Sequence, residues 1–398
     1  MELLQISINL AVLFVINLNK LNYKMKKVFT ICALATTVLF SACKREDKDE
    51  TVVTVDYTTS YSNFIKNAAG DTTTDRTAGR KLNKMFAGEL VTYMRKSTSQ
   101  AINSSDMKNM FAGSGFSDVT LNQSGLQIKA NVASSFPSAD ADKIRAKFES
   151  YFDSLANIST SFADSAKEGK AGIAYNVTSK YLCDAKGIEW IQVIQKGLIG
   201  AFQLDYIGNV LLANTNVDNT TILSGTKQTQ LAQNWDRAYG LLTTKNIYGS
   251  SASSTIHGES QLGAYAWEYN PYNPSTKKAL DDIHSAFVKG RIAVQNNDLN
   301  AAKTQADIIR LTYEKTLAKS ALGYIVKTKD KTTSVGARIH AFGEGLGFIY
   351  SLRFCKLSGA DATFADDIFN DFINTGFYKL TDKQLDDAAT KIKTKFNL

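Results

Sequence analysis

The chain has 398 residues and a formal net charge of +8, and its charged side chains are spread along the sequence. No block of lysine or arginine resembles a nucleic-acid footprint, which excludes nucleic acid as a partner. The cysteines and histidines show no CxxC or Cys/His spacing, which excludes a zinc-finger type of site. The sequence also lacks a Walker loop, a GxSxG elbow and a dinucleotide fingerprint.

Residues 25–43 have the layout of a bacterial lipoprotein signal. The stretch MKKVFTICALATTVLFSAC begins with two lysines, continues with an apolar run, and places small residues before Cys43. We expect removal of 25–42 and a lipid on Cys43 that anchors the mature chain to a membrane. The apolar run is shorter than the roughly 20 residues of a spanning helix, which disfavours the alternative, an uncleaved transmembrane anchor. Residues 1–24 are then an over-extended start; a two-helix hairpin is the alternative.

Residues 43–60 are charged and then threonine-rich, a composition typical of a flexible tether. Lys44 followed by acidic residues resembles a signal that displays lipoproteins on the outer face of the outer membrane, although Arg45 interrupts it. We expect a lipid-anchored protein of the outer membrane that faces outward. The periplasmic face is the alternative.

Only three prolines occur, and long stretches show 3.6-residue periodicity, so we predict an all-α helical bundle. A cluster of polar turn residues near 214–226 suggests two packed lobes, 61–215 and 216–398, with long connecting loops. The stretch 125–135 is the one candidate strand, and 246–274 is the longest predicted loop. Helices are predicted at 76–98, 104–112, 138–163, 187–213, 227–245, 275–296, 298–327, 333–357, 362–374 and 381–396.

The predicted helix 333–357 holds the best candidate site. His340 and Glu344 are four residues apart and therefore share one face. The helix also contains four glycines, which cost helix stability, roughly 1 kcal/mol each relative to alanine. This cost indicates either a closely packed neighbouring helix or room for a ligand. The His/Glu pair could bind a cation such as iron or zinc; the alternative is a buried histidine bonded to its own helix's glutamate.

Four further side chains are candidates for the same interior. Asp236, beside Trp235 on a predicted helix, could supply a second carboxylate to the metal site. Trp235, Gln203 and Ser351 are candidates for lining the pocket. For Trp235, Asp236 and Gln203 the alternative is ordinary helix packing, with a capping or salt-bridge role for Asp236.

The remaining cysteines and histidines leave alternatives open. Cys183 and Cys355 could form a disulfide in an oxidising compartment or stay as two buried thiols. His257 lies in the long predicted loop, and His284 is expected on a solvated helix face.

Three segments carry a resemblance to a known family. NWDRAYGLL at 234–242, KGLIGAFQ at 196–203 and HAFGEGLGFIYSLRF at 340–354 together resemble the lipoprotein family called domain of unknown function 4856. The resemblance spans roughly residues 57–395 and implies a bacterial lipoprotein. The chain is also similar in style to imelysin-like, iron-regulated surface proteins, which implies a two-bundle helical fold. Those proteins carry Gly-x-His-x-x-Glu, whereas Arg338 precedes His340 here and the spacing is His-x-x-x-Glu.

These observations lead to one functional hypothesis and two alternatives. The first is a surface lipoprotein that binds a small ligand, a metal ion or an iron complex, in a pocket near His340 and Glu344. The second is a non-catalytic module that displays 246–274 to an outer-membrane transporter. The third is a metal-dependent hydrolase, in which Glu344 or Asp236 would act as the base.

Overall fold

Proline-free stretches with helical periodicity form the helices of this protein. The computed structural model describes residues 60–214, 216–249, 258–268 and 283–398. These residues are mostly helical, so the all-α prediction is confirmed. In chain order the α-helices are α1 (Tyr61–Phe64), α2 (Thr77–Asn83), α3 (Val91–Arg95), α4 (Ser104–Phe111), α5 (Val119–Asn122), α6 (Ile128–Asn131), α7 (Ser138–Ser159), α8 (Trp190–Leu198), α9 (Gln230–Leu242), α10 (Gln261–Glu268), α11 (Ser285–Gln295), α12 (Leu299–Lys329), α13 (Val335–Ser351), α14 (Ala362–Thr375) and α15 (Asp382–Phe396).

Two of the predicted helices contain π-helical turns. Residues Lys84–Leu90 join α2 to α3, and Ile199–Leu211 continue α8. The predicted helices 76–98 and 187–213 therefore exist, but part of each is wound more widely than an α-helix. Because π-helical turns are rare and often lie at functional sites, both segments are candidate positions for a functional site.

Side-chain caps begin several helices where the sequence predicts them. Asp298 accepts a hydrogen bond from the amide of Ala301 and starts α12. Thr381 and Gln384 form a capping box at the start of α15. Such caps satisfy amides that have no partner within the helix, which fixes the residue at which each helix begins.

The described chain contains a β-hairpin that was not predicted from the sequence. Strand β1 (Gly172–Asn176) pairs antiparallel with β2 (Ser179–Cys183), with Gly172 opposite Cys183. The predicted strand 125–135 is wrong, because this stretch contains helix α6. The side chain of Arg145 donates to the carbonyl of Val132, directly after this helix. In both strands the buried residues are consecutive, so neither shows the alternation that predicts a half-buried strand.

The predicted loop 246–274 is only partly described. It contains helix α10, which the sequence analysis did not predict, while 250–257 and 269–274 lie outside the described residues. The predicted start, signal and tether up to residue 59 also lie outside them. In the part of the chain that is described, no helix has the length and apolar character needed to span a membrane.

Helix α13 lies at the centre of the helical packing, where it contacts α8, α12 and α14. Helix α9 packs against α2. The described residues all belong to one compact unit, Val55–Leu398. The division into lobes 61–215 and 216–398 stays a prediction.

A buried ion pair joins the beginning of the described chain to the central helices. Asp236 on α9 accepts from Arg291 on α11 at 3.0 Å, and both side chains are almost completely buried. The same carboxylate accepts from the hydroxyl of Tyr61 and from the amide of Asp75. Burial raises the pKa of Asp236, while Arg291 and these donors oppose the rise. One carboxylate therefore connects α1, α9, α11 and the segment before α2.

Replacement of Asp236 by alanine would leave the Arg291 guanidinium buried without its carboxylate. We expect Asp236→Ala to lower the free energy of unfolding by about 3–5 kcal/mol, measured by urea denaturation. Asp387→Ala is the matched control, since Asp387 pairs with Lys383 at the surface and such pairs contribute little. Equal stability of the two variants would contradict a structural role for the buried pair.

Candidate functional site

Helix α13 presents His340 and Glu344 on one face, as their spacing predicts. Ser334 caps the helix by accepting from the amide of Ala337, and the helix continues to Ser351. His340 Nε2 and Glu344 Oε2 are 3.6 Å apart, which is too long for a hydrogen bond. The structure therefore brings these two predicted residues together without a direct bond between them.

Two side chains from the neighbouring helix complete this group. Glu189, directly before α8, accepts a hydrogen bond from His340 Nδ1 at 2.7 Å. Lys196 on α8 places its ammonium 3.0 Å from Glu344 Oε1. We call Glu189, Lys196, His340 and Glu344 the charge cluster. Because an ionised carboxylate can only accept, Glu189 fixes the proton of His340 on Nδ1 and leaves Nε2 facing Glu344.

Aromatic side chains cover most of the charge cluster. Tyr181 on β2 stacks on the His340 ring, with centroids 4.2 Å apart. Tyr265 on α10 donates to Glu344 Oε1 at 3.0 Å. The side chain of His340 is 27% exposed, whereas those of Glu189 and Glu344 are 3% and 8% exposed. The imidazole is thus the part of the cluster that solvent reaches.

Burial and charge act in opposite directions on the pKa values of the cluster. Burial disfavours the imidazolium of His340, but Glu189 and Glu344 outweigh burial, so its pKa is raised. Burial also opposes ionisation of Glu344, yet Lys196 and His340 hold its pKa below the usual range. Burial raises the pKa of Glu189, against the pull of His340. The imidazolium of His340 is therefore stabilised between two carboxylates, one of which also pairs with Lys196.

The structure does not bring Asp236 to the charge cluster. Its carboxylate is bound to Arg291, Tyr61 and the amide of Asp75, a separate network that matches the salt-bridge alternative. Among the described residues, no three histidine, cysteine, aspartate or glutamate side chains form a group that could hold a metal ion. His340 and Glu344 are the two predicted ligands that lie side by side.

The three predicted pocket residues lie in closed packing. The indole of Trp235 donates to the carbonyl of Phe287, and Gln203 bonds both the carbonyl of Leu241 and the amide of Leu262. Ser351 donates to the carbonyl of Lys196 and accepts from the amide of Gly200. All three side chains are fully buried, and they hold helices together.

His284 and the two described cysteines are not members of the charge cluster. The expectation of a solvated His284 is wrong: its side chain is fully buried and bonds the hydroxyl of Tyr239, and burial lowers its pKa to about 4. His257 lies outside the described residues. Cys183 and Cys355 are free, buried thiols.

Sequence reasoning missed Glu189, Tyr181 and Tyr265 because each is remote from His340 in the chain. Lys196 entered the prediction only as the first residue of the motif KGLIGAFQ. A usable signal existed for it, since it is the single charged residue of helix α8 and that helix is largely buried. A lone charge on such a helix needs a buried partner, and Glu344 is that partner.

The fold and the charge cluster define an all-α helical protein with a buried group of ionisable side chains at the contact of two helices. The chain belongs to the family described as Domain of unknown function (DUF4856), whose sequence pattern matches residues 59–398. The three motif segments all lie within this range, so the resemblance seen in the sequence is confirmed. Searches of curated proteins and of solved structures found no match to the chain.

The raised pKa of His340 gives a prediction for its titration in chelator-treated protein. We expect the NMR signal of its ring to titrate above about pH 6.5, the value of an unperturbed histidine. The imidazolium then adds stability that is fully present below about pH 6.5 and is lost as pH rises through the raised pKa. The stability difference between wild type and His340→Gln should shrink over the same range.

His284 provides the internal reference for this experiment, because its pKa is lowered to about 4. His340→Gln identifies the signal that belongs to residue 340. A His340 midpoint at or below about 6.5 would contradict the arrangement of the carboxylates.

Proposed function

We propose that this chain is a lipid-anchored protein of the outer membrane that binds a small cationic ligand, a divalent transition-metal ion such as iron or zinc, at His340 and Glu344. One observation carries the proposal: Glu189 holds Nδ1 of His340, so Nε2 faces Oε2 of Glu344 at 3.6 Å. A carboxylate behind a histidine is the usual arrangement that orients a metal-binding imidazole.

The distance between the two proposed ligand atoms supports an ion between them. The two atoms are 3.6 Å apart. For an ion about 2.1 Å from each, the ligand–ion–ligand angle would be about 118°, near the tetrahedral value. Lys196 and Tyr265 contact Glu344 Oε1, and Oε2 is the oxygen that would bind the ion beside His340 Nε2. Water would supply the remaining ligands through the exposed edge of His340.

The charge balance of the cluster also favours a cation. With neutral His340, two carboxylates face one ammonium, that of Lys196. A cation between Nε2 and Glu344 would replace the Nε2 proton of the imidazolium and supply the same positive charge. A buried acidic group of this kind is stabilised by added positive charge.

The membrane location is proposed from the sequence of residues 25–50. The apolar run, the small residues and Cys43 support a lipid anchor, and the acidic residues that follow support outward display. A lipid-anchored chain would hold its cation site close to the membrane surface.

The test measures Zn²⁺ and Fe²⁺ binding to the full chain by isothermal titration calorimetry after chelator treatment. We expect His340→Ala and Glu344→Gln each to weaken binding strongly, because each removes one of two protein ligands. Glu189→Gln should weaken it by about 10–100-fold, since it only orients the imidazole.

Glu168→Gln is the matched control, because Glu168 is an exposed glutamate near Lys379 and should bind as wild type. Wild-type affinity in His340→Ala, or no binding by the wild-type chain, would contradict the proposed function. Thermal denaturation of each variant separates loss of ligand from loss of fold.

A further inference from the structure

A surface cleft of about 730 Å³ lies along α2 and the π-helical segment Lys84–Leu90. None of its lining residues belongs to the charge cluster. Its walls come from α2, α5 and the residues that follow α9 and precede α10. The volume falls within the range of small-molecule sites, roughly 300–1,000 Å³.

Positive charge dominates the lining of this cleft. Arg80, Lys81 and Lys84 line it together with one acidic residue, Asp118. Asp118 is already committed, because it binds Lys84 at 2.5 Å and accepts from Thr120. The hydrogen bond from Lys84 has the largest effect, and together with those from Thr120 it lowers the pKa of Asp118 to about 2. Asp118 therefore stays ionised and paired. The lining therefore keeps two further cations, those of Arg80 and Lys81.

Neither of these cations is neutralised by an acidic partner in the described chain. Arg80 donates from one terminal nitrogen to the amide oxygen of Asn246, while its Nε is buried and makes no hydrogen bond. Lys81 forms no ion pair with another described residue. A ligand in the cleft does not reach this buried Nε, and the charge that the lining offers to an oxyanion is that of the Arg80 guanidinium and the Lys81 ammonium.

The rest of the lining offers hydroxyl groups and a small apolar floor. Thr77, Thr244 and Ser260 contribute hydroxyls, and Ala87 and Leu121 contribute apolar surface. Hydroxyls can donate to and accept from the hydroxyls of a sugar. Apolar surface beside them suits the C–H face of a sugar ring.

A second cleft of about 370 Å³ shares Gly88 with the first. Its lining includes Thr92 on α3 and Asn109 on α4, and it carries two acidic residues, Glu89 and Asp106. A Cβ at Gly88 would have the side chain of Lys84 as its nearest neighbour, at 3.4 Å, so this position is open.

We propose that the Arg80–Lys81 cleft binds an acidic saccharide, a sugar that carries a carboxylate or phosphate group. The oxyanion would lie against Arg80 and Lys81, and the sugar hydroxyls would face Thr77, Thr244 and Ser260. This site is separate from the cation site at His340, so each can fail without the other.

The test is calorimetric titration of the full chain with glucuronate, glucose 6-phosphate, glucose and inorganic phosphate. We expect the two acidic sugars to bind with Kd below about 1 mM, at least about 10-fold more tightly than glucose or inorganic phosphate. The ratio between glucuronate and glucose 6-phosphate decides which oxyanion the site prefers.

Variants locate the binding. Lys81→Gln should weaken acidic-sugar binding by about 10-fold, and Ala87→Phe, which fills the cleft, should abolish it. Lys143→Gln, on an exposed lysine of α7, is the matched control. Lys81 is chosen for substitution because a change at Arg80 would also remove its hydrogen bond to Asn246.

Three outcomes would overturn the proposal. The first is that neither acidic sugar binds. The second is that glucose or inorganic phosphate binds as tightly as the acidic sugars. The third is that both Lys81→Gln and Ala87→Phe keep wild-type affinity. Circular dichroism and thermal denaturation confirm that each variant is folded before titration.

Discussion

Close contact between helices α8 and α13 is the constraint on which the charge cluster depends. A Cβ at Gly347 would lie 2.5 Å from Lys196 Cβ, and one at Gly343 would lie 3.0 Å from Glu189 Cβ. Farther along, Ser351 bonds the backbone of Gly200 and Lys196. Since residue numbers rise together along both helices, the helices run parallel in this contact. Small residues four apart allow the backbones to approach, which a side chain would prevent.

This packing explains how four ionisable side chains come to share a largely buried site. Glu189 and Lys196 bracket the contact on α8, and His340 and Glu344 lie beside the glycines of α13. Each buried charge has a partner, which offsets the cost of removing it from water. Glu189 orients the imidazole within the packed helices, and such preorganisation would reduce the entropy lost on binding the proposed cation. Asp236 and Arg291 form a second buried pair that serves the fold instead.

Local patterns predicted what lies within one element, and they failed where distant parts of the chain meet. The His340–Glu344 face and the glycine-rich helix were predictable from spacing, and a closely packed neighbouring helix, one of the two readings of the glycines, is confirmed. Glu189 lies 151 residues before His340, and no periodicity relates them. Arg291 was likewise invisible as the partner of Asp236, so the carboxylate was assigned to the wrong neighbourhood. Such contacts are properties of tertiary packing.

The most direct measurement compares the His340 titration by NMR in Gly347→Ala and Gly345→Ala. At Gly345 the nearest side-chain atom to an added Cβ is Tyr324 Cβ at 3.4 Å, an ordinary contact, so this variant is the control. Our account predicts that Gly347→Ala separates the helices, moves the His340 pKa towards about 6.5 and lowers the free energy of unfolding by about 1–3 kcal/mol. Gly345→Ala should leave the titration as in wild type. An unchanged titration and stability in Gly347→Ala would contradict the account.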